Sequence, residues 1–222
     1  LVQIDRTNVA NLEEFWRYRS GEPTSLMYTS PLIVNGILYG LSPSLDVFAL
    51  SAASGKELWR NELGLSGRAQ RGLMWWQDGE DRRVLFTAGN QLIAINADSG
   101  SLVTSFGDGG KLDLTPSVEG RGGIDVTVPG VIYQDKVILG FSTSENSLAF
   151  PGTVRAFNII DGSLEWTFHS IPLPGQPGSE TWAEGALEIA GGANVWTGMA
   201  LDEERGLLFA PTGSATPDFY GA

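Results

Sequence analysis

The 222 residues carry 26 acidic against 14 basic side chains, a formal net charge of −12, with one histidine and no cysteine. That balance excludes a nucleic-acid partner, which needs a basic face; disulfides and thiolate metal sites are excluded with it, and triads or multi-histidine metal centres find no support. The 29 glycines and seven tryptophans favour many short strands joined by tight turns.

In chain order, the first pattern is an extended run around EFWRYR, read as an additional outer strand over residues 10–20. SPLIVNGILYGL follows, two alternating runs about Asn35-Gly36, a dipeptide suited to a two-residue hairpin turn. Then come three copies of one pattern: ALSAASGKELW from Ala49, AINADSGSLVT from Ala94 and AFNIIDGSLEW from Ala156. Each has Ala first, Gly seventh, an apolar residue ninth, and Trp, Thr or Trp eleventh. Each reads as two strands about a turn whose glycine, Gly55, Gly100 or Gly162, supplies positive φ. The copies begin 45 and 62 residues apart, spacings that fit propeller blades with an insertion in the third. VPGVIYQDKVILGF repeats the upstream hairpin about Gln134-Asp135, and VWTGMALDEERGLLFAPTG starts it again, turning at Glu203 to Gly206.

The expected fold is therefore all-β: a partial β-propeller with about three complete four-stranded blades and parts of others. The blades are expected near residues 26–60, 70–106 and 124–168, with the first hairpin of the next over 193–213. No helix of useful length is expected, and no uncharged apolar run reaches the length of a membrane span. Blade faces left uncovered at this length imply a longer polypeptide, or another chain, to close the ring.

With these residues in view, the chain resembles the pyrroloquinoline quinone (PQQ)-dependent dehydrogenases, whose catalytic domain is an eight-bladed propeller. The three repeats look like that family's tryptophan-docking repeat, and NVANLEEFWRYRSGE looks like its N-terminal segment. QRGLMWW, FGDGGK, GTVRAFNIIDGSLEWTFHSIP, GGANVW and PTGSATPDFYG match family segments in the family's order. The paired cysteines of alcohol-oxidising relatives are absent from LSGRAQR, which moves the likeness toward the sugar- or polyol-oxidising branch.

The resemblance implies roles for five residues. Arg71, in QRGLMWW, matches the arginine that binds PQQ, and a permanently charged fork suits a tricarboxylated cofactor. Ser142 and Glu145, in GFSTSENSL, match a hydroxyl for the quinone and a carboxylate for calcium, a hard cation that needs several oxygen ligands. Trp196 matches the tryptophan beneath the quinone, and the small residues from Gly191 to Gly198 are expected to leave its face free. Ser214 stands where many relatives have a calcium-ligating asparagine and offers a shorter donor. Asn146 is a possible further amide donor, and Asp218 is expected to cap a loop. Trp59 and Trp166, in the repeat, are expected in the core. His169 reads as a loop residue, and GDGGK lacks the spacing of a phosphate loop.

The family's general base is an aspartate in a later blade, and no residue here matches it, so this chain alone is expected to be inactive. The resemblance implies oxidation of a sugar, polyol or alcohol hydroxyl with PQQ and calcium, in the periplasm or on a membrane facing it. Electrons would pass to a membrane quinone or a cytochrome. Two alternatives stand beside this: a non-catalytic propeller acting as an assembly scaffold, and a quinoprotein that has lost calcium, which Ser214 permits.

Overall fold

The structure, a computed structural model, describes residues 3–21, 27–67, 71–116 and 121–217. The first sheet comprises β1 (Leu32–Val34), β2 (Ile37–Leu41), β3 (Val47–Ser51) and β4 (Glu57–Asn61). The second comprises β5 (Met74–Asp78), β6 (Asp81–Ala88), β7 (Gln91–Asn96) and β8 (Lys111–Asp113). The third comprises β9 (Val131–Tyr133), β10 (Lys136–Leu139), β11 (Thr153–Asn158) and β12 (Leu164–His169). All three are antiparallel meanders in which each strand pairs with its successor in sequence. The remaining strands make a small ladder, β13 (Gly191–Gly192) with β16 (Ala215–Thr216), and a hairpin, β14 (Ala200–Asp202) with β15 (Leu207–Phe209). The one α-helix among the described residues is four residues long, α1 (Ala186–Ile189).

The sheets pack face to face, and strand periodicity decides which face each residue serves. Val84 and Phe86 of β6 join Tyr39, Leu41 and Val47 between the first and second sheets. Leu85, between them in sequence, turns the other way and joins Val137, Leu139 and Phe157 between the second and third. A strand buried on both faces must be apolar at consecutive positions, which is why RRVLFTA and QLIAIN do not alternate. Ile138, Val154 and Ala156 then meet Val195, Leu208 and Ala210, so the β14–β15 hairpin starts a fourth layer.

The repeat is visible in the register. Ala49 faces Trp59 across β3–β4 and Ala156 faces Trp166 across β11–β12, each followed by the same one-residue irregularity. Trp59 then reaches the next sheet. Its indole N–H donates to the Ala97 carbonyl at 3.2 Å, and its ring lies on Gly100, where a Cβ would fall 2.6 Å from the ring. Trp16 does the same to the first sheet, donating to Ala52 at 3.0 Å and covering Gly55. Both glycines sit at positive φ in the repeat's turn, so an added side chain would meet backbone strain and an occupied face together.

Three expectations about the elements change, and with them one about a side chain, that of Trp166. Residues 12–20 form no strand ladder; Trp16 and Tyr18, which stacks on Phe48 at 4.8 Å, fasten that run to the first sheet by side chains instead. In the second repeat only an isolated Ile95–Leu102 bridge follows the turn, and the outer strand is β8, beyond Phe106. GDGGK makes that detour, with Gly107, Gly109 and Gly110 all at positive φ. His169 is in a strand, paired with Thr153, rather than a loop.

The second repeat has threonine, not tryptophan, at its eleventh position, and the joint to the third sheet is rebuilt. Phe106, fully buried, packs against Gly162, and Gly107 donates its N–H to the Asp161 carbonyl. The carbonyl equivalent to Ala52 and Ala97 is that of Ile159, and Arg83 takes it at 2.7 Å along with Ile160 at 3.0 Å. Arg83 is only 3% exposed, and its guanidinium pairs with Asp81 and lies over Trp76. Trp166, expected in the core, is 38% exposed, because no strand among the described residues covers its face.

A second buried guanidinium has a different standing. Arg155, 8% exposed between Phe141 and Phe157, has a buried Nε with no hydrogen-bond partner among the described residues. Burial pushes its pKa down to about 10, so it remains charged at neutral pH. Substituting these two arginines is expected to have opposite effects. Arg83→Met leaves two carbonyls and Asp81 unpaired and is expected to cost about 3 kcal/mol in chemical denaturation. Arg155→Met removes a desolvated charge that makes no close ion pair among the described residues, Asp113 offsetting its burial only in part, and is expected to raise the melting temperature.

Candidate functional site

The site forms where the loop after β10 meets the segment after β13 that carries Trp196. Ser142 exchanges two backbone hydrogen bonds with Asp125, which sets the loop's start. The Thr143 hydroxyl accepts the Phe150 N–H at 3.0 Å and closes the loop's base. Asn146, considered as a donor for calcium, uses its amide oxygen locally, accepting from Ser144 Oγ and the Leu148 N–H. It shapes the turn that presents Glu145.

Facing this loop, residues 190–196 run between two layers at very short range. A Cβ on Gly140 would fall on the carbonyl of Val195, one on Gly152 on that of Ala193, and one on Gly191 on that of Ala149. Gly192 gives its N–H to Phe150 and its carbonyl to Gly152. The glycines of AGGANVW therefore serve backbone approach, and their smallness is not chiefly what bares the indole. Val195 is buried, and alternation turns its neighbour Trp196 outward, 46% exposed. From the other side, Ala193 donates to the Ser214 carbonyl, Gly213 donates to the Asn194 carbonyl, and Gly213 abuts the indole edge.

The result is a cleft of about 200 Å³ lined by Ser142, Thr143, Ser144, Glu145, Asn194, Trp196, Gly213, Ser214 and Thr216. Four of the five residues singled out from sequence, Ser142, Glu145, Trp196 and Ser214, share it. Arg71 does not line it. Its N–H bonds the Thr127 carbonyl and its own carbonyl accepts from Ser30, so it sits on the segment that runs through Thr127 to Asp125, opposite Ser142. Its guanidinium is exposed and has no hydrogen-bond partner among the described residues. Asp218 lies outside the described residues.

The donor set is all oxygen, which suits a hard cation and not a soft one. Among the described residues no three acidic, histidine or cysteine groups converge, so Glu145 is the one anionic donor lining the cleft. Asn194 is a lining residue the sequence reading did not pick out. Its amide nitrogen donates to the Phe141 carbonyl at 2.8 Å, which turns its oxygen the other way. Thr216 adds a buried hydroxyl with no hydrogen-bond partner among the described residues. One carboxylate among neutral oxygens, beside an exposed indole, fits a cation that arrives with an anionic, planar partner supplying the rest of its shell.

Antiparallel sheets stacked face to face and joined by aromatic-on-glycine contacts define the class: a β-propeller with its site beside the loops at one sheet edge. The sequence profile of the PQQ glucose/ethanol/alcohol dehydrogenase β-propeller domain covers residues 1–222, and the chain belongs to that family. It is 29% identical over its whole length to a quinate/shikimate dehydrogenase (quinone) of Acinetobacter baylyi and 28% to a quinoprotein glucose dehydrogenase of Escherichia coli. Over 98% of its length it is 29% identical to a quinohemoprotein alcohol dehydrogenase of Pseudomonas putida. It spans about a third of the length of these relatives, 32%, 31% and 32%. A europium-containing methanol dehydrogenase shares the fold at TM-score 0.68 and 22% identity, covering 95% of this chain and 40% of that one.

Two glycines flanking Trp196 separate close packing from mere smallness. Gly140→Ala is expected to cost about 2 kcal/mol by forcing Val195 away. Gly198→Ala, which meets nothing within 4 Å, is expected to stay within about 0.5 kcal/mol of the parent in the same melts.

Proposed function

We propose that this chain forms the cofactor-binding part of a PQQ- and calcium-dependent dehydrogenase that oxidises a sugar, polyol or alcohol hydroxyl. The observation that carries the reading is the meeting of an exposed indole, one carboxylate and a ring of neutral oxygens in one cleft. The family membership supports the cofactor's identity, and the names of the relatives support the substrate class.

When bound, the quinone supplies the two-electron acceptor and the metal supplies Lewis acidity. Trp196 offers its face to a flat ring, held at a fixed height because Val195 beside it is buried and Gly213 blocks its edge. Glu145 provides the negative charge that anchors a divalent cation, with Asn194 and Ser214 as neutral oxygens. Ser142 offers a hydroxyl to a ring oxygen or carboxylate. Arg71, whose guanidinium has no hydrogen-bond partner among the described residues, is available to clamp a cofactor carboxylate. The aspartate that takes the substrate proton belongs, in this reading, to a later blade. The periplasm, and a membrane quinone or cytochrome as acceptor, complete the proposal.

The test uses the full-length protein, titrated with PQQ in calcium and assayed by dye reduction with glucose, quinate and simple alcohols. Trp196→Ala is expected to weaken PQQ binding about 100-fold, from lost stacking area and rigidity. Glu145→Gln is expected to abolish calcium binding together with turnover while leaving the fold intact. PQQ binding without turnover would assign a degenerate quinoprotein; neither binding nor turnover would assign a scaffold propeller and overturn the proposal.

A further inference from the structure

Arg121, in a stretch that reads as an ordinary turn, joins the two walls of the cleft. Its guanidinium donates to three backbone carbonyls: Ala149 at 3.0 Å and Ile189 at 3.2 Å from Nη1, and Glu188 at 2.8 Å from Nη2. Glu188 and Ile189 are the last residues of α1, whose terminal carbonyls have no partner within the helix. A cation there is favoured by the helix end as well as by the hydrogen bonds. Ala149 ends the loop that carries Glu145, and its carbonyl is the one on which Gly191 closes. Next to Arg121, Gly122 donates its N–H to Leu148 at 2.9 Å and lies against Ser144.

One dipeptide thus holds the Glu145 loop from behind and, five residues before Asn194 and seven before Trp196, the chain that enters the floor. Nothing else among the described hydrogen bonds ties α1 itself to the loop after β10; the chain beyond it is held there by the bonds of Gly192 to Phe150 and Gly152. A guanidinium suits this place because three acceptors on two segments need several donors in a fixed plane. An ammonium offers a compact charge without that planar fork.

We propose that Arg121 is a positioning residue that sets the spacing between the carboxylate wall and the indole floor, and so the affinity for a flat anionic cofactor and its cation. This rests on the reading of the cleft given above. It touches neither substrate nor cofactor; it acts through Ala149 and Ile189.

The experiment compares wild-type full-length protein with Arg121→Lys and Arg121→Met in two measurements. The first is amide hydrogen exchange of the cofactor-free protein, which needs no ligand. Exchange at Gly191, Gly192 and Ala193 is expected to quicken at least tenfold in both variants, with amides of β6 and β7 unchanged. The second is titration with PQQ in calcium, where the dissociation constant is expected to rise 10- to 100-fold, the range for groups that orient ligands. Unchanged exchange at the floor would overturn the clamp whether or not PQQ binds. Quickened exchange with PQQ affinity within twofold of wild type would reduce Arg121 to a structural tie and overturn the positioning role. Wild-type protein that fails to bind PQQ would instead remove the cofactor reading, leaving the exchange result to judge the clamp. Should Arg121→Met fail to fold, Arg121→Lys, which keeps the charge, carries both measurements.

Discussion

A flat aromatic ring laid on a glycine turn is the contact on which the stacking of these sheets depends. An indole gains most of its burial on one face and still needs a partner for its N–H. The repeat supplies both on the neighbouring sheet: a turn with no Cβ beneath the ring, and a carbonyl three residues earlier. Trp16 on Gly55 and Trp59 on Gly100 are two instances with the same geometry. Where donor and acceptor lie on consecutive sheets, as for Trp59 and Ala97, the contact fixes how far one sheet slides over the next. The strands inherit their two-faced apolar character from that stacking.

The cleft is a by-product of the same economy of space. Where three layers meet near Gly140, Gly152 and Gly191, backbone runs against backbone without side chains between. A segment so constrained cannot rotate, so the alternation that buries Val195 also commits Trp196 to the open side. The polar lining then comes from turns whose shape is set by their own hydrogen bonds, with Asn146 holding Glu145 outward. Rigidity of this kind is what a site requires when it must hold a planar ligand and an ion in fixed relation.

Much of this is legible in the residues, and the reasons differ from place to place. The repeat's Ala–Gly–Trp spacing reports on register and docking together, which is why three sheets and a fourth hairpin could be read directly. Ser142, Glu145, Trp196 and Ser214 all lie in the connections between strands, and those connections meet at one edge of the sheets. The detour before β8 was not legible, since GDGGK interrupts a strand whose pairing partner, Gln91–Ile93, lies upstream of the turn. Asn194 was missed because its role follows from the Phe141 carbonyl, 53 residues away. Arg121 was missed for the same cause: its three acceptors are non-local. Trp166 was misplaced because burial of an outer-strand tryptophan depends on a neighbouring sheet and not on its own.

The replacement of a docked indole by Arg83 and Phe106 leaves the chain with two seams of different chemistry. The seam between the first and second sheets is held by apolar contact, whose strength levels off on heating. The seam between the second and third is held in part by the buried Arg83 guanidinium, which crosses it to the Ile159 and Ile160 carbonyls, and the cost of keeping a charge out of water falls as temperature rises. Warming therefore shifts the balance of cohesion along the stack toward its third member. The first sheet and the run containing Trp16 become the place where thermal opening begins, at the end away from the cleft.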